Sequence, residues 1–512
     1  SLSHDDISAL IDDIHHYIAN RCHSHLSAFI FDGEKTHVHE AFGLMKMIYH
    51  VNMMAEDPVP FRNFYSECVT QFLAGPEHNL KNDHRRIVYS FLVDYPFAID
   101  LPVKKTFLRL YQGVEHTNWF KSIQVHRESI VNDALAESYS SHRSFLNPHF
   151  YVTFKGEAGI GPGVFREFFT LFSTELWKDK AFVLNEHTGN MWFNSDKDIP
   201  LERFYNIGFL IGVGFYHQCP MNLHFPQFLY HLLLGKSIVL RDLASVDPQL
   251  YNTMQQHVLD PSLTEEDIEE IAPAFDHMEL PSTIKQRKRS GPDHHDISSS
   301  KRTKLNCELE VPRRRLNLKN RFEYVEMYLR DAVIDRVSDQ LEQFIIGFQK
   351  VCGTEYMPLL SSHEFELLLC GIQTVDIADL NRHTMYSGGY SESDPIIQNF
   401  WEVLSAFDEN DKRLFLKFVT GSFRLPAGGA ATIHPPLTVD KLPSRPARPV
   451  PNRPSSVPTP PSSGSTQPVA LNHLPYVSSC SNELILPPYP DKETLRHKLV
   501  QAIAESEEFT QM

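Results

Sequence analysis

The sequence predicts an α+β protein in which a helical module precedes a mixed domain, itself divided near residue 371. Three observations predict it. In residues 1–120 glycines are few and apolar residues recur at helical spacing, as with Phe42, Met45, Ile48 and Tyr49. Around residue 148 the period changes: "PHFYVTF" is strand-like, "KGEAGIGPG" is a glycine-proline loop, and "VFREFFTLFSTELW" is an amphipathic helix carrying Phe165, Phe168, Phe169, Phe172 and Leu176. Near the C-terminus "NELILPPYP" reads as a strand, and Asp491 then caps a helix bearing Leu495, Leu499 and Ile503.

Between these landmarks the elements follow in order. Residues 203–217 form a buried helix in which Gly208 and Gly212 permit close backbone approach, and "HFPQFLYHLLLGK" and "DPQLYNTMQQHVL" follow as helices. The stretch 282–316 is polar, basic and turn-rich and reads as a flexible insertion. Helical pattern resumes from about 320 to 350. "HEFELLLCGIQTVD" ends a helix at Gly371, where glycine can take a left-handed cap, and the loop 371–375 is a natural hinge. A smaller second unit, 376–512, then begins. Asp394-Pro395 caps a helix with Ile397, Phe400, Trp401 and Leu404, and Asp408 caps one with Leu414, Phe415 and Phe418. Thirteen of the 34 prolines lie between Pro426 and Pro475, so about 428–472 reads as a proline-rich insertion in which no core forms.

Composition removes several function classes. At 512 residues the chain is multi-domain, and its formal charge of −16 argues against a general nucleic-acid binder, which needs a basic face to replace counterions. The seven cysteines, Cys22, Cys68, Cys219, Cys307, Cys352, Cys370 and Cys480, are scattered without metal-ligand spacing. They read as free thiols in a reducing compartment, with no metal or cofactor expected. The longest apolar run, near "IGFLIGVGFYH", falls short of the roughly 20 residues a membrane span needs, so a soluble protein is expected. The start lacks both Met and a signal pattern and reads as part of something longer.

Among possible reactive groups, Cys480 in "VSSCSNELILPPYP" has hydroxyl and amide neighbours at a loop-to-strand junction, which suits a reachable nucleophile. A plain loop thiol fits the same pattern. Cys219, Cys352 and Cys370 sit in apolar stretches and read as core residues. The glycines of "GEAGIGPG" run GxGxG, not GxGxxG, and no GxxxxGK[ST] is present, so a tight turn is expected there instead of a phosphate cradle. The clusters "KQRKR" and "KRTK" within 285–304 have the form of a bipartite nuclear import signal or of a solvated loop.

Seven collinear stretches from about residue 140 to the end resemble the HECT family of ubiquitin ligases. They are "FYVTFKGEAGIGPGVFREFFTLFSTELW", "FYNIGFLIGVGFYHQCPMNLHFPQFLYHLLLGK", "LRDLASVDPQLYNTM", "FELLLCG", "MYSGGYSESDPIIQNFWEVL", "LFLKFVTGSFRLPAGG" and "SCSNELILPPYPDKETLRHKLVQAIAES". Residues 1–120, with "DYPFAID", look like the region preceding this domain in the HERC-like and Angelman-protein-like branches.

The resemblance implies a bilobal fold, with a larger N-lobe (121–371) that binds a ubiquitin-conjugating enzyme, a hinge at Gly371, and a smaller C-lobe (376–512). Cys480 aligns with the cysteine that accepts ubiquitin as a thioester and passes it to a lysine of a protein substrate. Leu250, Thr253 and Met254 fall at conjugating-enzyme contact positions, and Phe509 matches a phenylalanine that orients the lobes. Two departures bear on activity. Ser478-Ser479 stands before Cys480 where the family has His-Thr, and the proline-rich tract interrupts the C-lobe. The alternative is a weakened HECT-like scaffold that binds a conjugating enzyme or ubiquitin. A cytoplasmic location is expected, with nuclear entry through 285–304.

Overall fold

The computed structural model describes residues 4–511 except 33–36, 55–57, 75–90, 112–120, 141–149, 158, 186–187, 237–239, 246–247, 261, 272–315, 354–356, 442–472 and 479–480. The basic segment 285–304 therefore lies outside the described residues. Helix α1 (His4–Asp32) buries Ile7, Ile11, Ile14 and Ile18, one per turn, against Val38, Phe42 and Met45 of α2 (His37–Met54). The same core takes Val69 of α3 (Glu67–Ala74) and a run of aromatics in which Tyr49 stacks on Phe97 at 5.1 Å. Cys68 of α3 is disulfide-bonded, which corrects the expectation that every cysteine is a free thiol. Helix α4 (Leu101–Tyr111) bridges two cores, placing Val103 in this one and Leu101 and Leu108 in the next.

The second core opens with a parallel pair, β1 (Lys121–Val125) and β2 (Phe150–Phe154), joined through α5 (Ile130–Ser140). After β2 the chain turns at Gly156 and Gly161, both at positive φ (86° and 145°), where a side chain would be strained. Arg127 pins this turn. Its Nε and Nη2 donate to Glu157, its Nη1 donates to Glu167, and its guanidinium lies 3.9 Å over the Phe154 ring. Helix α6 (Pro162–Glu175) starts there and buries Phe168, Phe169 and Phe172. A short hairpin, β3 (Phe182–Leu184) and β4 (Met191–Phe193), then leads to α7 (Leu201–Tyr216).

Helix α7 is buried almost all round, and α8 (Gln227–Leu233), α9 (Pro248–His257), α10 (Glu265–Ile271) and α11 (Arg321–Val333) follow it. Where α7 crosses α12 (Ser338–Cys352) the backbones touch: a Cβ on Gly208 would overlap the Phe344 carbonyl, and one on Gly347 the Tyr205 carbonyl. The close approach expected at Gly208 and Gly212 is therefore real, and Gly347 answers it from the other helix. Helix α13 (Ser362–Cys370) begins with a capping box that the sequence reading missed, in which Ser361 accepts from Glu364 N and Glu364 from Ser361 N.

Residues 375–503 form another core, built on α14 (Ile377–Arg382), β5 (Met385–Tyr386), α15 (Pro395–Ser405), α16 (Glu409–Thr420), β6 (Thr438–Lys441), β7 (Tyr476–Ser478), β8 (Glu483–Leu486) and α17 (Lys492–Gln511). The sheet order is β5-β6-β8-β7, with only β7 antiparallel to its neighbour. This corrects the proline-rich reading of 428–472: residues 428–441 are ordered, β6 is an inner strand with Val439 buried, and Leu437 just before it is buried too. The remainder, 442–472, lies outside the described residues. Asp408 and Asp491 cap their helices as expected, but the Asp394 carboxylate accepts from Ser391 N and bonds no helical N–H. No helix among the described residues is long and apolar enough to cross a membrane.

Candidate functional site

Strands β7 and β8 form a hairpin, and its connection carries Ser479 and Cys480, both outside the described residues. Ser478, exposed at the end of β7, accepts from Ser481 N at 3.1 Å and from Ser481 Oγ at its own Oγ at 2.8 Å. Asn482 is fully buried at φ 50°, a left-handed position that asparagine tolerates better than most residues. Its carbonyl accepts from Thr438 N (3.0 Å) and its Nδ2 donates to Pro435 O (2.5 Å), tying the hairpin to the start of β6.

Two arginines join this C-terminal core to the one before it. Arg166 of α6 donates from Nε to Thr420 O (3.1 Å), from Nη1 to His434 O (3.1 Å) and from Nη2 to Asn482 Oδ1 (2.7 Å). In the reverse direction Arg424 donates from Nη2 to Asn222 Oδ1 (3.1 Å) and to His224 Nε2 (2.8 Å). For that second bond His224 must be neutral, with its proton on Nδ1. Burial, helped by Arg424 and Arg413, pulls the His224 pKa down to about 4. A cavity of about 780 Å³ lies between the cores, reached by both arginines and by Asn482. Neither Arg166 nor Asn482 stood out in the sequence; the signals were an Arg-Glu pair inside the aromatic run "VFREFF" and an asparagine just before a strand.

The three cysteines described as free are poor competitors for nucleophilic chemistry. All are buried, and burial pushes the Cys219 thiol up to about 12, Cys370 to about 11 and Cys352 well above its ordinary value. Among the described residues no group of three or more His, Cys, Asp or Glu side chains could hold a metal ion.

The other sequence-derived candidates are placed as follows. Leu250 and Thr253 of α9 are partly exposed, and the Thr253 hydroxyl donates back to Gln249 O. Met254 is completely buried among Phe228, Leu243 and Tyr324, which corrects it from a surface contact to a core residue. Gly371 ends α13 at φ 70° and ψ −174°, a positive-φ turn but an extended one and not the left-handed cap expected. A Cβ there would overlap the Leu425 carbonyl, and Ile372 exchanges two backbone hydrogen bonds with Leu425 (2.8 and 3.1 Å). Phe509 lies in α17, its side chain outside the described residues.

The family described as HECT-domain (ubiquitin-transferase) matches residues 165–512. Similar proteins include "Probable E3 ubiquitin-protein ligase HECTD2" of Homo sapiens, 25% identical over 508 residues, covering 91% of this chain and 59% of that one. "E3 ubiquitin-protein ligase HACE1" of Danio rerio is 28% identical over 390 residues, covering 74% and 38% respectively. "Probable E3 ubiquitin-protein ligase hulA" of Aspergillus clavatus is 28% identical over 417 residues, covering 79% and 44%. The chain thus spans from 38% to 59% of the length of these relatives. Their names do not assign it to the HERC-like or Angelman-protein-like branch.

Proposed function

Since the chain belongs to the HECT-domain (ubiquitin-transferase) family, we propose that it is a ubiquitin-protein ligase acting through a thioester on Cys480. The Cys480 thiolate attacks the thioester carbonyl that joins ubiquitin to a conjugating enzyme, and that enzyme's cysteine leaves as a thiolate. A substrate lysine amine then attacks the new thioester, loses a proton and forms an isopeptide bond, returning Cys480 to its thiol form. One thioester replaces another of similar energy in the first step, so positioning matters more than activation.

What carries the reading is the setting of residue 480. The matched family span includes it, it falls in the connection of a hairpin whose neighbour Ser478 is exposed, and the described free cysteines are buried with raised pKa values. We further propose that the cores on either side of residue 371 act as N-lobe and C-lobe. Ile372 is bonded to Leu425, so the pivot falls on Gly371. Leu250 and Thr253 are the proposed contacts for the conjugating enzyme.

The test is to mix the chain with ubiquitin-charged conjugating enzyme and look for a ubiquitin adduct that thiol reductant removes. Cys480→Ala should abolish it, and Cys480→Ser should give a reductant-resistant ester. No adduct with the wild type, or one that survives Cys480→Ala, overturns the proposal.

A further inference from the structure

We propose that Arg424 is a positioning residue for the transfer reaction, acting as a second joint beside Gly371 so that the C-terminal core swings about an axis through both; this rests on the reading of Cys480 as the ubiquitin acceptor. The backbone of Arg424 belongs to the C-terminal core. Its N–H donates to Ser422 Oγ (3.3 Å) and its carbonyl accepts from the same hydroxyl (3.1 Å), while Leu425, the next residue, pairs with Ile372 and lies against Gly371. Its side chain belongs to the preceding core. Arg424 is only 4% exposed, and its tip reaches Asn222 Oδ1 and His224 Nε2, in a segment that Met221 N ties to Leu369 O (3.0 Å) just before the pivot.

The bonding suits a joint that turns without parting. With the Gln373 amide oxygen turned towards the guanidinium, Nη1 and Nη2 lie 3.2 and 2.9 Å from it, so one group gathers a residue of the loop after Gly371 together with Asn222 and His224. Nε is buried and bonds nothing. The guanidinium is therefore held by its outer nitrogens alone, with the methylene chain between them and the backbone. Its acceptors are neutral, and Glu366 acts on it only at longer range than an ion pair. A carboxylate would clamp the guanidinium in one plane through paired bonds, whereas single bonds to neutral atoms can shift as the angle between the cores changes. Withdrawal would instead strip the partly buried Asn222 and His224 of their donor. Arg424 thus stays seated through the swing, and the C-terminal core loses the directions that a single-residue pivot would allow. Fewer unproductive orientations raise the share of encounters that lead to transfer.

The experiment places dyes at Lys197 and Arg496, exposed residues of the two cores, and measures their separation by single-molecule energy transfer in wild type, Arg424→Lys, Arg424→Ala and Asn222→Ala. The spread of distances should widen at least about twofold in Arg424→Ala and by less in Arg424→Lys and Asn222→Ala. Adding Asn222→Ala to Arg424→Ala should widen it no further. Single-turnover loading from charged conjugating enzyme should slow at least about fivefold in Arg424→Ala, with the half-saturating enzyme concentration unchanged because α9 is untouched. A merely structural arginine would lower the folded fraction and leave the spread among folded molecules as it was. That result overturns the proposal, as does loading at or above the wild-type rate. Should Arg424→Ala fail to fold, an unchanged spread in both Arg424→Lys and Asn222→Ala overturns it. Absence of any adduct in the wild type overturns the ubiquitin reading instead, and the distances then still report on the joint.

Discussion

Lys104 and Glu364 meet as a buried ion pair: the ammonium lies 2.6 and 2.7 Å from the two carboxylate oxygens, and both side chains are almost wholly removed from solvent. The Tyr65 hydroxyl donates to the same carboxylate at 2.7 Å. Burial pulls the Lys104 pKa down while Glu364 opposes it. Helix α4 is thereby joined to the start of α13, and the upstream helices to the matched domain. Lys104→Ala leaves a buried carboxylate unpaired and should cost about 3–5 kcal/mol in urea unfolding. Lys104→Met with Glu364→Gln should cost less than the two single changes summed.

Gly208→Ala places a methyl group against the Phe344 carbonyl, where only backbone can give way. We expect a loss of about 3 kcal/mol, read from the denaturant midpoint, with Gly347→Ala similar. Gly43, whose Cβ would meet nothing within 4 Å, should accept alanine without loss.

Acid should loosen the junction at His224. Its folded pKa of about 4 lies below the ordinary value of 6.5, so the unfolded chain binds more protons between these values. Stability therefore falls as pH drops from 6.5 towards 4. Allowing for the partial exposure of the ring, the loss is about 1–2 kcal/mol. His224→Gln keeps an acceptor for Arg424 and should flatten this part of a stability-against-pH curve.

The two ends of α9 should respond differently. Met254→Ala opens a cavity in a filled core and should cost about 2–5 kcal/mol of stability. Leu250→Ala should leave unfolding within about 1 kcal/mol of wild type while raising the concentration of conjugating enzyme needed for half-maximal loading.

Ser478→His supplies the imidazole that the resemblance places before the nucleophile. Ser478 is exposed, so the ring can be housed without repacking. Discharge of preloaded Cys480 to free lysine should rise about tenfold at neutral pH, measured by loss of the thioester.

The sequence was readable where an element carries its own pattern. Four phenylalanines on one face announced α6, and Asp408 and Asp491 marked helix starts. Strand β6 was hidden because only Val439 of "TVDK" is buried and two prolines precede it; it is ordered by pairing with β5 and β8, both distant in sequence. The nucleophile candidate was visible as a polar-loop cysteine, but the bond from Arg166 to Asn482 beside it was not. Arg166 and Asn482 are 316 residues apart, and no periodicity records such a contact. Met254 shows the opposite error, a motif position taken for surface when helical spacing alone would have placed it in the core.

The register of the C-terminal sheet also says how much chain its topology requires. Lys441, where β6 ends, is level with Leu486, and Tyr476, where β7 begins, is level with Ile485, so exit and re-entry share one end of the sheet. Only β8 separates them, a distance of two strand spacings or about 10 Å, which a linker of four or five residues can cross. The connector from 442 to 475 is 34 residues long. It is thus far longer than the register requires, and it joins the sheet at the end away from the hairpin that carries Cys480.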